Sequence, residues 1–338
     1  MNYVIAGTGS DLPTRIVAND EIERTSRGYD RSRTGCSLDE WVMQRAGVVH
    51  RHRLAPGEGT SDMGVRAARR ALESAQVPVD EVDLIVLGTF TSDSRLPSTV
   101  SLLARTLGSD AKCLQLETAC TGFVDALLVA TAVMTAAGHR TALVIHSEAM
   151  SAVVDDQEFL YQSIFGDGAG AVVVRRAPGS DVGIEAVRTH TDAGVCDWTR
   201  APGGGTKHPI TAEVLAARSQ YLSLEYKAIY RYAVEKMVEA THEVLTAINR
   251  TIDDVDWLIP HQAGANIVGE VAEQLKVPPG HTITSLDHTG NVSGASVLVA
   301  LDEAARAGTF APGERLVLPV VGGGMAWGAV SLTWAGAA

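Results

Sequence analysis

The chain repeats itself, and that repetition restricts it to folds built from two similar halves. "MGVRAARRALESAQVPVDEVDLIVLGTF" reads as an amphipathic helix, an acidic turn and an apolar strand. "YAVEKMVEATHEVLTAINRTIDDVDWLIPHQAG" reads the same way. "STVSLLARTLG" is answered by "NIVGEVAEQLKV", and "LQLETACTGFVDALLVATAVMTAAG" by "ITSLDHTGNVSGASVLVALDEAARAG". "RTALVIHSE" is answered by "ERLVLPVVGG". The spacing from Asp83 to Cys120 matches that from Asp256 to Asn291 to within two residues. Five successive elements in one order imply two α/β halves of a duplicated plan, with a boundary in "RRAPGSDVG" that divides the chain into residues 1–178 and 179–338. In this register Cys120 and Asn291 occupy equivalent strand-to-helix turns. Paired halves would bury their central helices face to face and bring the two turns together.

Outside the repeat, "YVIAGTG" reads as the first strand and "NDEI" as the start of a short helix capped by Asn19 or Asp20. "LDEWVMQRAGVVHRHRLAP" reads as a helix, a glycine turn and a basic loop, and Ser61 or Asp62 as the cap of the next helix. Residues 121–137 form a helix apolar on nearly every face, which places it in the interior.

Composition narrows the partners. With 28 Lys+Arg against 40 Asp+Glu, the formal charge of −12 argues against nucleic acid and anionic membrane as general partners. "MNYVIAGTGS" lacks the charged and long apolar regions of a signal peptide. The longest apolar run, around residues 123–137, contains Asp125 and reads as too short to span a bilayer. Four cysteines without CxxC spacing read as reduced thiols, so the expected location is cytoplasmic.

Three residues stand out for chemistry. Cys120 ends a strand and precedes a buried helix, whose N-terminal amides would lower its pKa and favour the nucleophilic thiolate. A lone cysteine in such a place is more often a buried structural residue. His261 in "WLIPHQAGAN" ends a strand, where open α/β folds place their sites. Asn291, flanked by Gly290 and Gly294 in "GNVSGAS", is either a helix cap or an amide donor to a developing oxyanion. "VVGGGMAWG" is either a plain turn or a place where backbone amides approach a ligand. "GTGSDL" lacks the third glycine of a dinucleotide fingerprint, "GDGAG" reads as a packing turn, and "HRHR" offers no third ligand for a metal.

These motifs together ("ETACTGF", "IPHQA", "GNVSGAS", "IFGDGAGAVVV" and "GGGMAWG") resemble the ketoacyl-ACP synthase III group of the thiolase superfamily, and the likeness extends over nearly the whole chain. The resemblance implies a five-layered αβαβα thiolase-like fold, a homodimer and a transferase that uses coenzyme A thioesters as substrates with no resident cofactor or metal. It implies that Cys120 takes an acyl group from acyl-CoA or an acyl carrier protein, with the amides of Cys120 and Gly323 as the oxyanion hole. His261 and Asn291 would then support decarboxylation of a malonyl-type thioester, whose enolate attacks the acyl-enzyme. Trp41 and Arg45 match positions that hold the adenine and phosphate of coenzyme A in that family.

Departures from the family pattern are equally informative. Arg231 is the counterpart of one basic carrier-docking position, but others read Asn266, Glu273 and Gln274, which would weaken docking of an acidic carrier. A second coenzyme-contacting arginine of the family falls near Phe159, so the resemblance places Phe159 at the acyl pocket or its entrance. Leu96 replaces an aromatic that in some members crosses the dimer and limits the acyl pocket. The tyrosine-rich "LAARSQYLSLEYKAIYRY" departs from the small residues usual at the entrance. These changes point to a specialised member serving secondary metabolism. Two other readings stand beside condensation: transfer of the acyl group to an alcohol, amine or carrier thiol, and a non-catalytic partner subunit. The last is opposed by the retained cysteine.

Overall fold

The computed structural model describes residues 3–336. The first half runs β1 (Tyr3–Asp11), β2 (Arg15–Ala18), α1 (Asn19–Thr25), α2 (Arg31–Thr34), α3 (Leu38–Arg45), β3 (His50–Arg53) and α4 (Thr60–Ser74). It continues with β4 (Leu84–Gly88), α5 (Thr99–Leu107), β5 (Lys112–Leu116), α6 (Gly122–Ala137), β6 (Thr141–Ala149), α7 (Phe159–Ile164) and β7 (Asp167–Arg176). After it come β8 (Gly183–Thr191), β9 (Thr199–Arg200), α8 (Ala212–Ala216), β10 (Ser223–Leu224) and α9 (Tyr226–Thr246). The chain ends with β11 (Trp257–Leu258), α10 (Ala265–Leu275), α11 (Leu286–Thr289), α12 (Ala295–Arg306), β12 (Arg315–Gly322) and β13 (Ala326–Thr333).

Two sheets carry the fold. The first has the order β1-β7-β6-β4-β5, with β4 parallel to β5 and β6; the second has the order β11-β12-β13-β8, with β11 parallel to β12. The central strands β4, β6, β7, β12 and β13 are buried on both faces along most of their length, so alternate residues feed different layers. Leu84 and Val86 of β4 face the centre with α6 and α12, whereas Ile85 and Leu87 face α4 and α5. In the second sheet Leu316, Leu318 and Val320 face the same centre, and Val317 and Val321 face α9 and α10. The result is the five-layered αβαβα arrangement, α4/α5, sheet, α6/α12, sheet, α9/α10, as the resemblance implies.

Glycines in the two discounted motifs let layers approach. A β-carbon at Gly9 would stand 2.4 Å from the Ala67 carbonyl oxygen of α4, and one at Gly170 would stand 2.3 Å from Leu298 Cβ of α12. The "GTGSDL" and "GDGAG" stretches are therefore packing contacts within strands.

Four local expectations give way. The basic segment "HRHR" is strand β3, paired with β2, because Arg51 and Arg53 are buried and their guanidinium groups reach backbone carbonyls of Val17, Ser163 and Gln162. Helix α1 is preceded by Ala18, and Asn19 is spent on Arg51, Asp39 and the Val48 carbonyl. Helix α4 is preceded by Gly59, and Asp62 accepts from the Gly59 amide at 2.8 Å. Finally, a helical turn at Ala119–Thr121 extends α6 into a 19-residue apolar segment, Ala119–Ala137, long and apolar enough to cross a membrane. Its inner face packs into the centre of the fold, with Phe123, Val124, Leu127 and Ala130 fully buried.

Candidate active site

The duplication brings its two strand-to-helix turns into contact. Cys120 lies in the turn before α6, and Ser293, in the matching turn before α12, donates its hydroxyl to Cys120 Sγ at 3.5 Å. Both turns carry a non-glycine residue with positive φ, Ala119 at +45° and Ser293 at +53°. Such conformations are uncommon for a residue with a β-carbon and persist where surrounding structure imposes them.

Each catalytic candidate is held by backbone. His261 continues the ladder beyond β11: the Ile259 amide donates to Val317 and the His261 amide to Pro319, both at 2.9 Å. The imidazole is 2 % exposed and its Nδ1 has no partner. Asn291 is pinned by its amide to the Ile164 carbonyl at 2.8 Å and by its carbonyl to the Gly166 amide at 3.0 Å. Its Oδ1 accepts from the Ser293 amide at 2.8 Å, so the amide end left for the cavity is the donor, Nδ2. Gly290, at φ +65°, makes this possible, since a β-carbon there would stand 2.6 Å from the Ile164 carbonyl oxygen. A β-carbon at Gly322 would stand 2.9 Å from the amide nitrogens of Cys120 and Thr121, so only glycine lets the "GGG" segment close over the nucleophile turn.

Cys120, His261, Asn291, Gly322 and Gly323 all line one cavity of about 110 Å³. Apolar side chains form most of the rest, among them Phe90, Met150, Ile164 and Phe165. Leu222, Leu224, Tyr226, Ile229 and Tyr230 complete one side, so the tyrosine-rich segment does line the cavity. Phe90 and Met150 follow the carboxyl ends of β4 and β6, where strand-end logic would have found them. Ser293 offered no such signal beyond its place in the glycine-flanked turn.

The electrostatics differ from expectation at the nucleophile. Burial pushes the Cys120 thiol up to about 11, and Glu148 adds to the rise. The Ser293 hydroxyl and the amides of Gly323 and Cys120 act in the opposite direction without overcoming it. The lowered thiol pKa expected from the helix start is thus overturned by desolvation, which disfavours the anion. Burial, followed by His146, holds His261 down at about 3, so it is a neutral imidazole at physiological pH. A neutral imidazole and an amide in an apolar cavity are able to donate hydrogen bonds to a developing oxyanion without surrendering a proton to it.

The peripheral residues divide. In α3 the Arg45 guanidinium carbon lies 4.4 Å over the Trp41 ring, and the Phe159 ring meets Trp41 edge-on at 5.5 Å. The end of α3 is tied to the start of α10 by the Ala265 amide on Ala46 and by Asn266 Nδ2 on Arg45 at 3.1 Å. Phe159 therefore belongs to the Trp41 cluster and does not line the cavity. Leu96 is 87 % exposed and does not line the cavity of its own chain either, because it sits on a surface loop after β4. Arg231 is exposed on α9, next to Tyr230, whose hydroxyl donates to Glu270 at 2.8 Å. Among the described residues no group of three or more His, Cys, Asp or Glu is arranged to hold a metal ion.

The chain is similar to known proteins along nearly its whole length. Residues 114–193 match the family model for 3-oxoacyl acyl-carrier-protein synthase III, and residues 245–334 match the model for its C-terminal part. The chain is 35% identical over 333 residues to a β-ketoacyl acyl-carrier-protein synthase III of Streptomyces coelicolor, covering 98% of this chain and 97% of the relative. It is 36% identical to the corresponding synthase of Rhizorhabdus wittichii over 98% of this chain and 99% of the relative. The crystal structure of 3-oxoacyl acyl-carrier-protein synthase III from Aquifex aeolicus superposes with a TM-score of 0.88 at 31% identity, covering 98% of this chain and all of that one. Duplicated halves, a cysteine, a histidine and an asparagine meeting in one cavity, and likeness along nearly the full length together show that this chain is an acyl-transferring enzyme of the β-ketoacyl-ACP synthase III family.

Proposed function

We propose that the protein joins an acyl group to a malonyl-type unit with loss of CO2, using Cys120 as nucleophile. The observation that carries this reading is the convergence of Cys120, His261 and Asn291 on one cavity, with the Gly323 and Cys120 amides at the sulfur. The Cys120 thiol attacks the carbonyl of an acyl-CoA or acyl-carrier thioester, and those two amides donate hydrogen bonds to the oxyanion. The carrier thiol departs with the proton that Cys120 gives up. A malonyl-type thioester then binds with its thioester oxygen between His261 and Asn291 Nδ2. It loses CO2, and the enolate attacks the acyl-enzyme carbonyl and releases Cys120, which regains a proton. The mostly apolar lining of the cavity beside Cys120 supports an acyl chain as its occupant.

Trp41 and Arg45 are assigned to the adenine and phosphate of coenzyme A, and Arg231 to a carrier phosphate or acidic helix. Acyl transfer without condensation is the second reading. Asn266, Glu270, Glu273 and Gln274, which line the shallow face beside Tyr230, favour it because they oppose docking of an acidic carrier. A second copy of the chain is proposed to cover the open edge of β5 and the exposed Leu96 loop, since an unpaired strand edge invites pairing. Intact-mass measurement after exposure to a panel of acyl-CoAs, followed by labelled malonyl thioester, tests these readings. Condensation predicts an acyl adduct that is lost in Cys120→Ala, then labelled CO2. An adduct with no CO2 during turnover gives the second reading. No adduct removes both.

A further inference from the structure

Beneath the two catalytic turns lies a buried ionisable pair that the proposed steps do not use. His146 and Glu148, two residues apart on β6, have fully buried side chains, and His146 Nε2 is 3.1 Å from Glu148 Oε1. The remaining partners of Glu148 all serve as donors: the Phe90 and Thr91 amides at 3.1 and 3.2 Å, and the Thr89 and Thr91 hydroxyls at 3.2 and 2.5 Å. With every other partner a donor, Glu148 accepts, so Nε2 of His146 carries the hydrogen of their bond and Nδ1 is the ring nitrogen left over.

That nitrogen faces the nucleophile turn. The His146 ring is wedged among three glycines: β-carbons at Gly88, Gly122 and Gly294 would stand 2.5, 2.4 and 2.5 Å from its atoms. Gly122 opens α6, two residues after Cys120, and Gly294 precedes α12, next to Ser293. The ring therefore touches the starts of both catalytic helices. Nδ1 is buried and unpartnered, and so is the hydroxyl of Thr118. Both approach one point: a β-carbon at Gly122 would be 2.7 Å from His146 Nδ1 and 3.5 Å from Thr118 Oγ1. Each is a buried polar atom that needs a hydrogen-bond partner, and a hydroxyl can serve as donor or acceptor.

We propose that Thr118, His146 and Glu148 form a hydrogen-bonded strut under the nucleophile turn, the Thr118 hydroxyl and His146 Nδ1 being joined through one bridging water. Thr118 and His146 are positioning residues in this account. They hold the segment 118–122, with its positive-φ Ala119, so that the Cys120 amide stays aimed at the sulfur. The ionisable groups with which the strut interacts are Glu148 on its own strand, Cys120 and His261. Loosening the turn weakens the amides that favour the thiolate, so a broken strut makes the thiol harder to ionise.

The strut rests on Cys120 being the nucleophile, yet its test needs no substrate. The rate of Cys120 labelling by iodoacetamide at pH 8, followed on its own peptide by mass spectrometry, reads the thiolate population. Thr118→Val and His146→Asn should each slow labelling roughly three- to tenfold, the scale of one lost hydrogen bond. Thr118→Ser should restore the wild-type rate, and the double variant should be no slower than the slower single one. Labelling unchanged in Thr118→Val, or additive losses in the double variant, overturns the proposal. If His146→Asn does not fold, the Thr118→Val and Thr118→Ser pair decides alone. Failure to form an acyl adduct would instead count against the proposed reaction and leave this readout standing.

Discussion

Replacing Asn291 by alanine separates the two half-reactions. The hydroxyl at the Cys120 sulfur is that of Ser293, and the Asn291 side chain spends its Oδ1 on the Ser293 amide, so its Nδ2 is the donor left facing the cavity. Its backbone bonds to Ile164 and Gly166 do not depend on the side chain, so the turn keeps its place. The Ser293 amide loses its 2.8 Å acceptor in a buried setting, which costs roughly 1–3 kcal/mol of stability. Loss of one preorganised oxyanion donor costs about 10²- to 10³-fold in rate, or roughly 2.7–4 kcal/mol of transition-state stabilisation. That loss falls on decarboxylation, where His261 remains as the second donor. Cys120 acylation followed by intact mass should therefore stay within about threefold of wild type, while CO2 release from labelled malonyl thioester falls by the larger factor. Equal losses in both steps would refute the assignment, because Asn291 would then be shaping the nucleophile turn. Unchanged CO2 release would refute it as well.

Two further outcomes follow from the ionisation states. With the thiol at about 11, the thiolate fraction of Cys120 grows through the neutral range, so its alkylation rate should climb with pH up to about 10 without a plateau. A plateau near pH 7 would show that the amides and Ser293 outweigh burial. His288, bonded to Glu303 and Asp287, is raised to about 9 from its usual 6.5. Its folded pKa lies above the unfolded one, so its contribution is complete below pH 6.5 and disappears as pH rises through 9. The side chain is about a third exposed, so solvent screening reduces the effect to about 1 kcal/mol. The melting temperature should fall across that window in wild type, and His288→Gln should remove that part of the fall.

Much of this molecule was legible in the sequence because duplication is a one-dimensional signal. Matching helix, turn and strand segments gave two halves before any coordinate, and the register paired Cys120 with Asn291. Strand-end position singled out His261, and the tyrosine-rich segment marked one wall of the cavity. Other features carry no one-dimensional trace. Arg51 and Arg53 read as a solvated loop because composition cannot show the carbonyls that receive their guanidinium groups. Leu96 and Phe159 were assigned by resemblance alone, and their surroundings in the fold, a surface loop and the Trp41 cluster, differ from the acyl pocket.

The ionisation of Cys120 shows the division most clearly. Its position at a helix start is local, and by itself it argues for a lowered pKa. Burial belongs to the whole fold, and here it outweighs the amides, so the direction reverses. His146 escaped notice for the same reason. In the sequence it is one alternating residue of a buried strand, and only the folded layers set its ring among Gly88, Gly122 and Gly294. Local sequence fixed which backbone turns would form and which side chains they would present. Solvent exclusion and the meeting of distant turns, which set protonation and hydrogen bonding, were decided by tertiary packing, because both depend on atoms far apart along the chain.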